Sequence, residues 1–238
     1  MYSDLFRDVR VSVTLWEEIM KQLFTPRWLL TVLTGCLFAA YSAFQVFVIL
    51  RDIRAMSPEN IVIRSLVGLM FAILAIYMWT AGIKGKKHIL FMIVRRTSFI
   101  IAMLVIIALK LRMVIQVINY MDYTRFYTVL YGVSYFMMLL ALMILFFYYV
   151  FILNRLPFFP RAGVILPRTA IVLFLLSLIA EQILFYVYGI GLEANAIRSM
   201  VMQPVFYLGF IGLSLHFLYP VLIGRKPKKK MIAVAPSE

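Results

Sequence analysis

The feature that most constrains this chain is a series of apolar stretches long enough to cross a lipid bilayer. One of them runs over residues 169–190, with Glu181 as its one charged residue. A helix of about 20 residues spans the hydrocarbon core of roughly 30 Å. Backbone groups in lipid must bond to each other, which leaves helices or closed barrels, and these stretches lack the alternation of barrel strands. The sequence therefore predicts an all-α, polytopic membrane protein.

Six such stretches predict six transmembrane helices in one bundle within residues 27–224. They cover residues 28–50, 63–83, 98–119, 126–153, 169–190 and 200–223. An earlier start for the third span, near His88, would bury Arg95 and Arg96 in lipid, so residues 89–94 are interpreted as a separate surface segment. Residues 154–168 contain three prolines and are predicted to be the longest irregular connection.

Both ends of the chain are predicted to lie at the membrane surface. Residues 1–26 form an amphipathic interfacial helix in which Leu5, Val9 and Trp16 share one face. This helix either docks to or senses another component, or anchors the bundle on which it packs. Residues 225–238 form a basic cytoplasmic tail whose lysines suit anionic lipid headgroups, although the membrane topology alone also explains them.

The distribution of basic residues predicts the orientation in the membrane. Six spans place both termini on one side, and that side carries 17 Lys and Arg residues against 5 on the other. Basic residues accumulate on the cytoplasmic side, so both termini are predicted to be cytoplasmic, in the cell (plasma or inner) membrane. The net charge of +14 is then a consequence of topology, and no nucleic-acid partner is expected.

Three charged side chains within the spans are the candidate site. A charge at the bilayer centre costs about 2.5–3.5 kcal/mol on insertion scales, which favours pairing of such charges. Lys110 and Glu181 lie at matching depths of the third and fifth spans, with Arg112 one step further out. The predicted intramembrane polar cluster comprises Lys110, Arg112, Gln116, Glu181 and Gln182. It is either a substrate, ion or proton site, or a salt bridge that fixes the bundle.

Two further residues are possible members of a site. His216 shares a helical stripe with Gly209 and Gly212. It is interpreted either as a proton carrier or haem ligand, or as a packing histidine bonded to a hydroxyl group. Tyr188 falls on the same helical face as Glu181.

Motifs for catalysis and cofactor binding were not found in the sequence. It contains no HExxH, no GxSxG and no Gly-rich phosphate loop. With Cys36 as the one cysteine, no disulfide or thiolate metal site forms within the chain. The sequence therefore predicts no catalytic residues, no metal and no cofactor, and a protein that is not an enzyme.

These observations favour a non-catalytic integral subunit that scaffolds or regulates a larger membrane complex. The small residues Gly35, Ala39 and Ala43 recur every four positions, which allows close helix packing inside the bundle or in a homo-oligomer. The expected partners are the bilayer and either other proteins or further copies of the chain. The alternative is a small transporter or channel with a polar site at Lys110, Arg112 and Glu181. A lipid-modifying enzyme is the third hypothesis.

Overall fold

The computed structural model describes residues 26–81, 89–120, 125–153, 158–159, 161–188 and 201–223. The helices within them are α1 (Pro26–Asp52), α2 (Pro58–Ala81), α3 (Ile89–Tyr120), α4 (Phe126–Phe147), α5 (Ala162–Tyr188) and α6 (Gln203–Ile223). A π-helical turn, Tyr148–Ile152, extends α4. Residues 1–25 of the predicted amphipathic helix (residues 1–26) lie outside the described residues, and Pro26 begins α1. The tail predicted over residues 225–238 also lies outside the described residues.

The six helices form a closed, up-and-down ring. Each helix packs against the next one in the chain, and α6 packs against α1 to complete the ring. Contacts join the start of one helix to the end of its neighbour. Arg112, near the end of α3, bonds to Glu59 at the start of α2. In the same way, Thr31 near the start of α1 meets His216 near the end of α6. Neighbouring helices therefore run antiparallel.

The outer surface of the ring is apolar. Five helical segments within the described residues are long and apolar enough to cross a membrane: Pro26–Asp52, Pro58–Ala81, Phe91–Asn119, Phe126–Ile152 and Ala162–Val187. Large side chains such as Leu33, Phe136 and Val172 are more than half exposed. Water does not favour so much exposed apolar surface, whereas lipid does. The chain is a multi-pass helical membrane protein.

Two expected boundaries are wrong. Residues 89–94 are not a separate surface segment but the first turns of α3. Arg95 is accommodated there because its guanidinium carbon lies 4.6 Å from the ring centroid of Tyr77. The irregular connection expected over residues 154–168 is helical from Ala162 onward, with Pro167 inside α5. Pro167 lies in the second turn of α5, where it removes one backbone N–H donor, and the helix continues through it.

Aromatic rings fill the centre of the bundle. Phe38 of α1 lies 5.8 Å from Phe71 of α2 and 5.3 Å from Phe210 of α6, measured between ring centroids. Phe206, one turn before Phe210, is 5.6 Å from Phe71 and 5.6 Å from Tyr41. We call these five rings the aromatic plug. It joins three helices across the middle of the bundle and blocks the interior there.

Small residues let α6 approach α1 closely. A Cβ atom added at Gly209 would lie 2.7 Å from the ring of Phe38, and one at Gly212 would overlap the hydroxyl of Thr34. On α1 itself, a Cβ added at Gly35 would overlap the indole of Trp79 of α2. Gly35, the first of the small residues that suggested either internal packing or dimerisation, is therefore used inside the bundle.

This packing predicts that Gly212→Ala destabilises the protein. The added methyl group overlaps Thr34, and overpacking of this kind costs about 1–3 kcal/mol. Gly68→Ala is the matched control, since its Cβ would lie 3.4 Å from the Cβ of Gln45, an ordinary contact. Thermal unfolding in detergent should show a lowered midpoint for the first variant only. Equal midpoints for the two variants would contradict the close α1–α6 contact.

Candidate functional site: a polar cavity beside a buried carboxyl cluster

A cavity of about 360 Å³ lies between α1, α2, α3 and α6, at the end of the bundle where residues 53–57 connect α1 to α2. We call it the polar cavity. Its lining consists of Tyr41, Gln45, Ser57, Glu59, Asn60, Ile63, Arg64, Val67, Phe71, Ile106, Leu109, Lys110, Arg112, Met113, Gln116 and Phe206. Polar residues surround the mouth, whereas rings of the aromatic plug close the inner end.

Basic side chains dominate the charge of the cavity. Arg64, Lys110 and Arg112 line it together with one acid, Glu59. Arg112 Nη2 donates a hydrogen bond of 2.6 Å to Glu59 Oε1, and both side chains are at least half exposed at the mouth. Deeper inside, Arg64 Nη1 donates to the buried Gln45 Oε1 at 3.3 Å. The lining therefore carries more positive than negative charge.

Lys110 lies at the inner end of the cavity, above aromatic rings. Its ammonium nitrogen is 4.5 Å from the ring centroid of Phe206 and 5.8 Å from that of Tyr135 on α4. Rings in these positions attract the cation through their negative faces. The cation is thus held half-buried where the polar cavity meets the aromatic plug.

Glu181 lies in a different environment, a buried hydrogen-bonded cluster between α4, α5 and α6. The residue is only 6% exposed. Tyr207 donates a 2.6 Å hydrogen bond to Glu181 Oε1, and Ser134 Oγ lies 3.5 Å from the same atom. Ser177 Oγ is 2.8 Å from the Tyr207 hydroxyl and 3.0 Å from Ser134 Oγ. These four residues form the Glu181 cluster, which does not line the polar cavity.

Two pairs of consecutive residues connect Lys110 to the Glu181 cluster. On α4, Ser134 faces Glu181 while the ring of Tyr135 faces Lys110. On α6, Tyr207 bonds to Glu181 while the ring of Phe206 lies below Lys110. Residues of the same two helices, α4 and α6, therefore contact the Lys110 ammonium group and the Glu181 carboxyl group.

His216 lies towards the opposite end of the bundle. Its Nδ1 is 3.2 Å from Thr31 Oγ1, and the Thr31 hydroxyl also lies 2.7 Å from the carbonyl oxygen of Arg27. This is the arrangement that the packing interpretation of His216 expects. The histidine thus contributes to the α1–α6 contact and not to the polar cavity.

The structure separates the residues that the sequence analysis grouped together. Lys110, Arg112 and Gln116 line the polar cavity, whereas Glu181 is buried beside it. Arg112 does not turn towards the α5 carboxyl group as expected: it bonds to Glu59, because α2 and not α5 is its neighbour. A direct pair between Lys110 and Glu181 stays a prediction.

The remaining predicted site residues contribute less to this arrangement. Gln182 is half-buried, and its Nε2 has no hydrogen-bond partner within the described residues. Tyr188 ends α5, and its side chain lies outside the described part of the chain. No group of His, Cys, Asp and Glu side chains that could hold a metal ion occurs among the described residues.

Sequence reasoning missed two of the polar residues. Tyr207 and Ser134 were not predicted, because single hydroxyl groups in apolar helices give no signal in one sequence. Glu59 and Arg64 carried a signal, since each loop of the predicted outer side has an acid a few residues before an arginine. This recurring pattern of an acid followed by an arginine did not predict that Glu59 would bond to Arg112 of another helix.

Comparisons of the chain with protein-family models, with curated proteins and with solved structures gave no match.

Proposed function

We propose that the protein is a small transporter for anionic solutes and that the polar cavity is its binding site. One observation carries this proposal: Arg64, Lys110 and Arg112 line a cavity with a single carboxylate, and that carboxylate is bonded to Arg112. The lining has a net positive charge whatever the details of side-chain position. Charges act more strongly in such a site than in open water, because the surrounding dielectric constant is lower.

The lining also limits what the anion looks like. Its volume of about 360 Å³ is near the lower end of the roughly 300–1,000 Å³ of small-molecule sites. Tyr41, Phe71 and Phe206 offer an apolar surface next to the ammonium group of Lys110. This combination suits a small organic carboxylate, sulfonate or phosphate whose apolar part lies on the rings.

The proposed membrane topology places the cavity on the outer face. We take α6 as the sixth span, although it is shorter than the other five, with both termini on the cytoplasmic side of the cell membrane as the basic residues predict. The loop at residues 53–57 then faces outward, and the cavity mouth with it. The aromatic plug closes the path to the cytoplasm, as a carrier that is open on one side requires.

The subunit hypothesis is the second candidate. Glu181 is 6% exposed and bonded by hydroxyl groups of its own bundle, and burial of this kind is expected of a structural polar cluster. Such a protein would hold a larger membrane assembly together without binding a solute. Solute binding therefore distinguishes the two hypotheses.

Binding of benzenesulfonate tests the proposal. This anion combines a permanent negative charge with an aromatic ring, and it fits the charge and the rings of the polar cavity. The purified full-length protein in detergent should bind it in a calorimetric titration, whereas the similarly sized cation benzyltrimethylammonium should not bind. Proteoliposomes should also take up labelled benzenesulfonate faster than protein-free vesicles.

Arg64→Gln provides the matched test within the cavity. Loss of one cavity cation should weaken benzenesulfonate binding about tenfold. This corresponds to about 1.4 kcal/mol for one charge-assisted hydrogen bond. Arg51→Gln is the control, because Arg51 is exposed and bonds to Asp52 outside the cavity. Equal binding of the anion and the cation, or an equal effect of the two variants, would overturn the assignment of the cavity.

A further inference from the structure

We infer that Glu181 binds a proton when an anion binds beside Lys110, so that the two binding events are coupled. The inference rests on the proposed function and adds how the same site is regulated. A transporter with this property would carry an anion together with a proton. The argument depends on where the carboxyl group lies, what faces it and what connects it to the cavity.

The Glu181 carboxyl group lies where its charge acts on the binding site, but it does not contact the solute. Glu181 is absent from the cavity lining and is 6% exposed. Yet the residues that hold it, Ser134 and Tyr207, are each adjacent in sequence to a residue whose ring contacts Lys110. An ionised Glu181 therefore acts on the Lys110 ammonium group from the side of α4 and α6, whereas a solute acts on it from the polar cavity.

Three titratable groups lie in or next to the Glu181 cluster. Tyr207 of α6 donates the short hydrogen bond, and the Tyr135 ring of α4 follows Ser134 in sequence. Lys110 of α3 is the cation that these two helices also contact. The hydroxyl groups of Ser134 and Ser177 belong to the same cluster. Lys110 is thus the basic residue whose charge Glu181 and a bound anion would share.

The sign of the coupling follows from this sharing. When Glu181 is ionised, its negative charge lowers the attraction of Lys110 for a second anion. When Glu181 is protonated, this competition is gone and the anion binds more tightly. Because coupling between two sites is reciprocal, binding of the anion must in turn favour protonation of Glu181.

Titration of benzenesulfonate at several pH values tests the coupling. The sulfonate stays ionised throughout, so any change in affinity reports on the protein. Affinity should rise about tenfold as the pH is lowered from about 8 to about 5, within the range usual for coupled sites. Glu181→Gln keeps an acceptor for Tyr207 but removes the charge, so this variant should bind tightly at every pH.

Proton uptake by the wild-type protein gives a second measurement that needs no variant. Calorimetric titrations in buffers of different ionisation enthalpy should show that protons are taken up as benzenesulfonate binds. Asp52→Asn is the matched control, because it removes a carboxyl group from the ion pair with Arg51, which lies outside the polar cavity. It should leave both the pH response and the proton uptake in place.

The failures of the two proposals differ. Benzenesulfonate binding that is independent of pH and takes up no protons would overturn the coupling and leave the anion site intact. The same conclusion would follow if Glu181→Gln retained the full pH response. Absence of benzenesulfonate binding at every pH would overturn the proposed function itself, and the coupling with it.

Discussion

Replacing Lys110 by leucine and Glu181 by methionine together is expected to weaken anion binding strongly while the protein remains folded. Lys110 supplies the innermost cation of the polar cavity, and its loss should weaken benzenesulfonate binding about 100-fold, or roughly 3 kcal/mol. The double change removes both charges together, so neither is left without the other, and its cost in stability is mainly the lost hydrogen bond between Tyr207 and Glu181. Each single change should lower the stability more than the double change does.

Calorimetric titration and thermal unfolding in detergent measure the two halves of this prediction. Arg51→Gln combined with Asp52→Asn is the control, because this ion pair is exposed at the end of α1 and lies outside the cavity. The control should bind benzenesulfonate as the wild-type protein does. Wild-type affinity in the Lys110 and Glu181 double variant would show that the anion binds elsewhere. The subunit hypothesis expects the double variant to be folded but expects no binding by either protein.

Removing the hydroxyl group of Tyr207 is expected to destabilise the protein more than removing the hydroxyl group of another buried tyrosine. Tyr207→Phe deletes the 2.6 Å hydrogen bond to Glu181 and the 2.8 Å contact with Ser177. A hydrogen bond to a charged group contributes about 1.5–3 kcal/mol to stability. A buried partner that is left without a hydrogen bond adds a desolvation penalty. We expect a lower thermal unfolding midpoint in detergent, with a loss of about 2–3 kcal/mol.

The same substitution at another buried tyrosine, Tyr148, provides the control. Tyr148 is fully buried, but its hydroxyl makes a long bond of 3.4 Å to the carbonyl oxygen of Phe217. Tyr148→Phe should therefore cost about 0.5 kcal/mol, the lower end for neutral hydrogen bonds. Tyr207→Phe should also cost less in a Glu181→Gln background, because the two residues interact directly. Equal losses at the two tyrosines, or additive effects of the pair, would contradict a strong bond within the Glu181 cluster.

The sequence predicts where the helices lie in the chain better than it predicts their boundaries and their packing partners. Apolar runs locate all six described helices, because spanning lipid requires a length and composition that one sequence displays. Boundaries fail where a single residue type misleads. Arg95 and Pro167 were taken as signs that the next span had not yet begun, yet the ring of Tyr77 lies against the first and α5 continues through the second.

The sequence identified charged residues of the candidate site but did not predict which of them contact each other. Charged residues in apolar runs stand out, which is why Lys110, Arg112 and Glu181 were identified. Which helix lies beside which cannot be calculated from depth alone, because six rods of similar hydropathy can be ordered around a ring in many ways. The bond of Arg112 to Glu59 depends on that order.

The interlocked rings in the middle of the bundle have a consequence for speed. Phe38, Phe71 and Phe210 contact each other from three different helices, so none can swing aside while the others stay in place. A solute crosses such a barrier only if whole helices shift together, and collective motions of that kind take microseconds to milliseconds. Under the proposed transport function, we therefore expect the protein to move one solute per conformational cycle and to carry no steady ionic current.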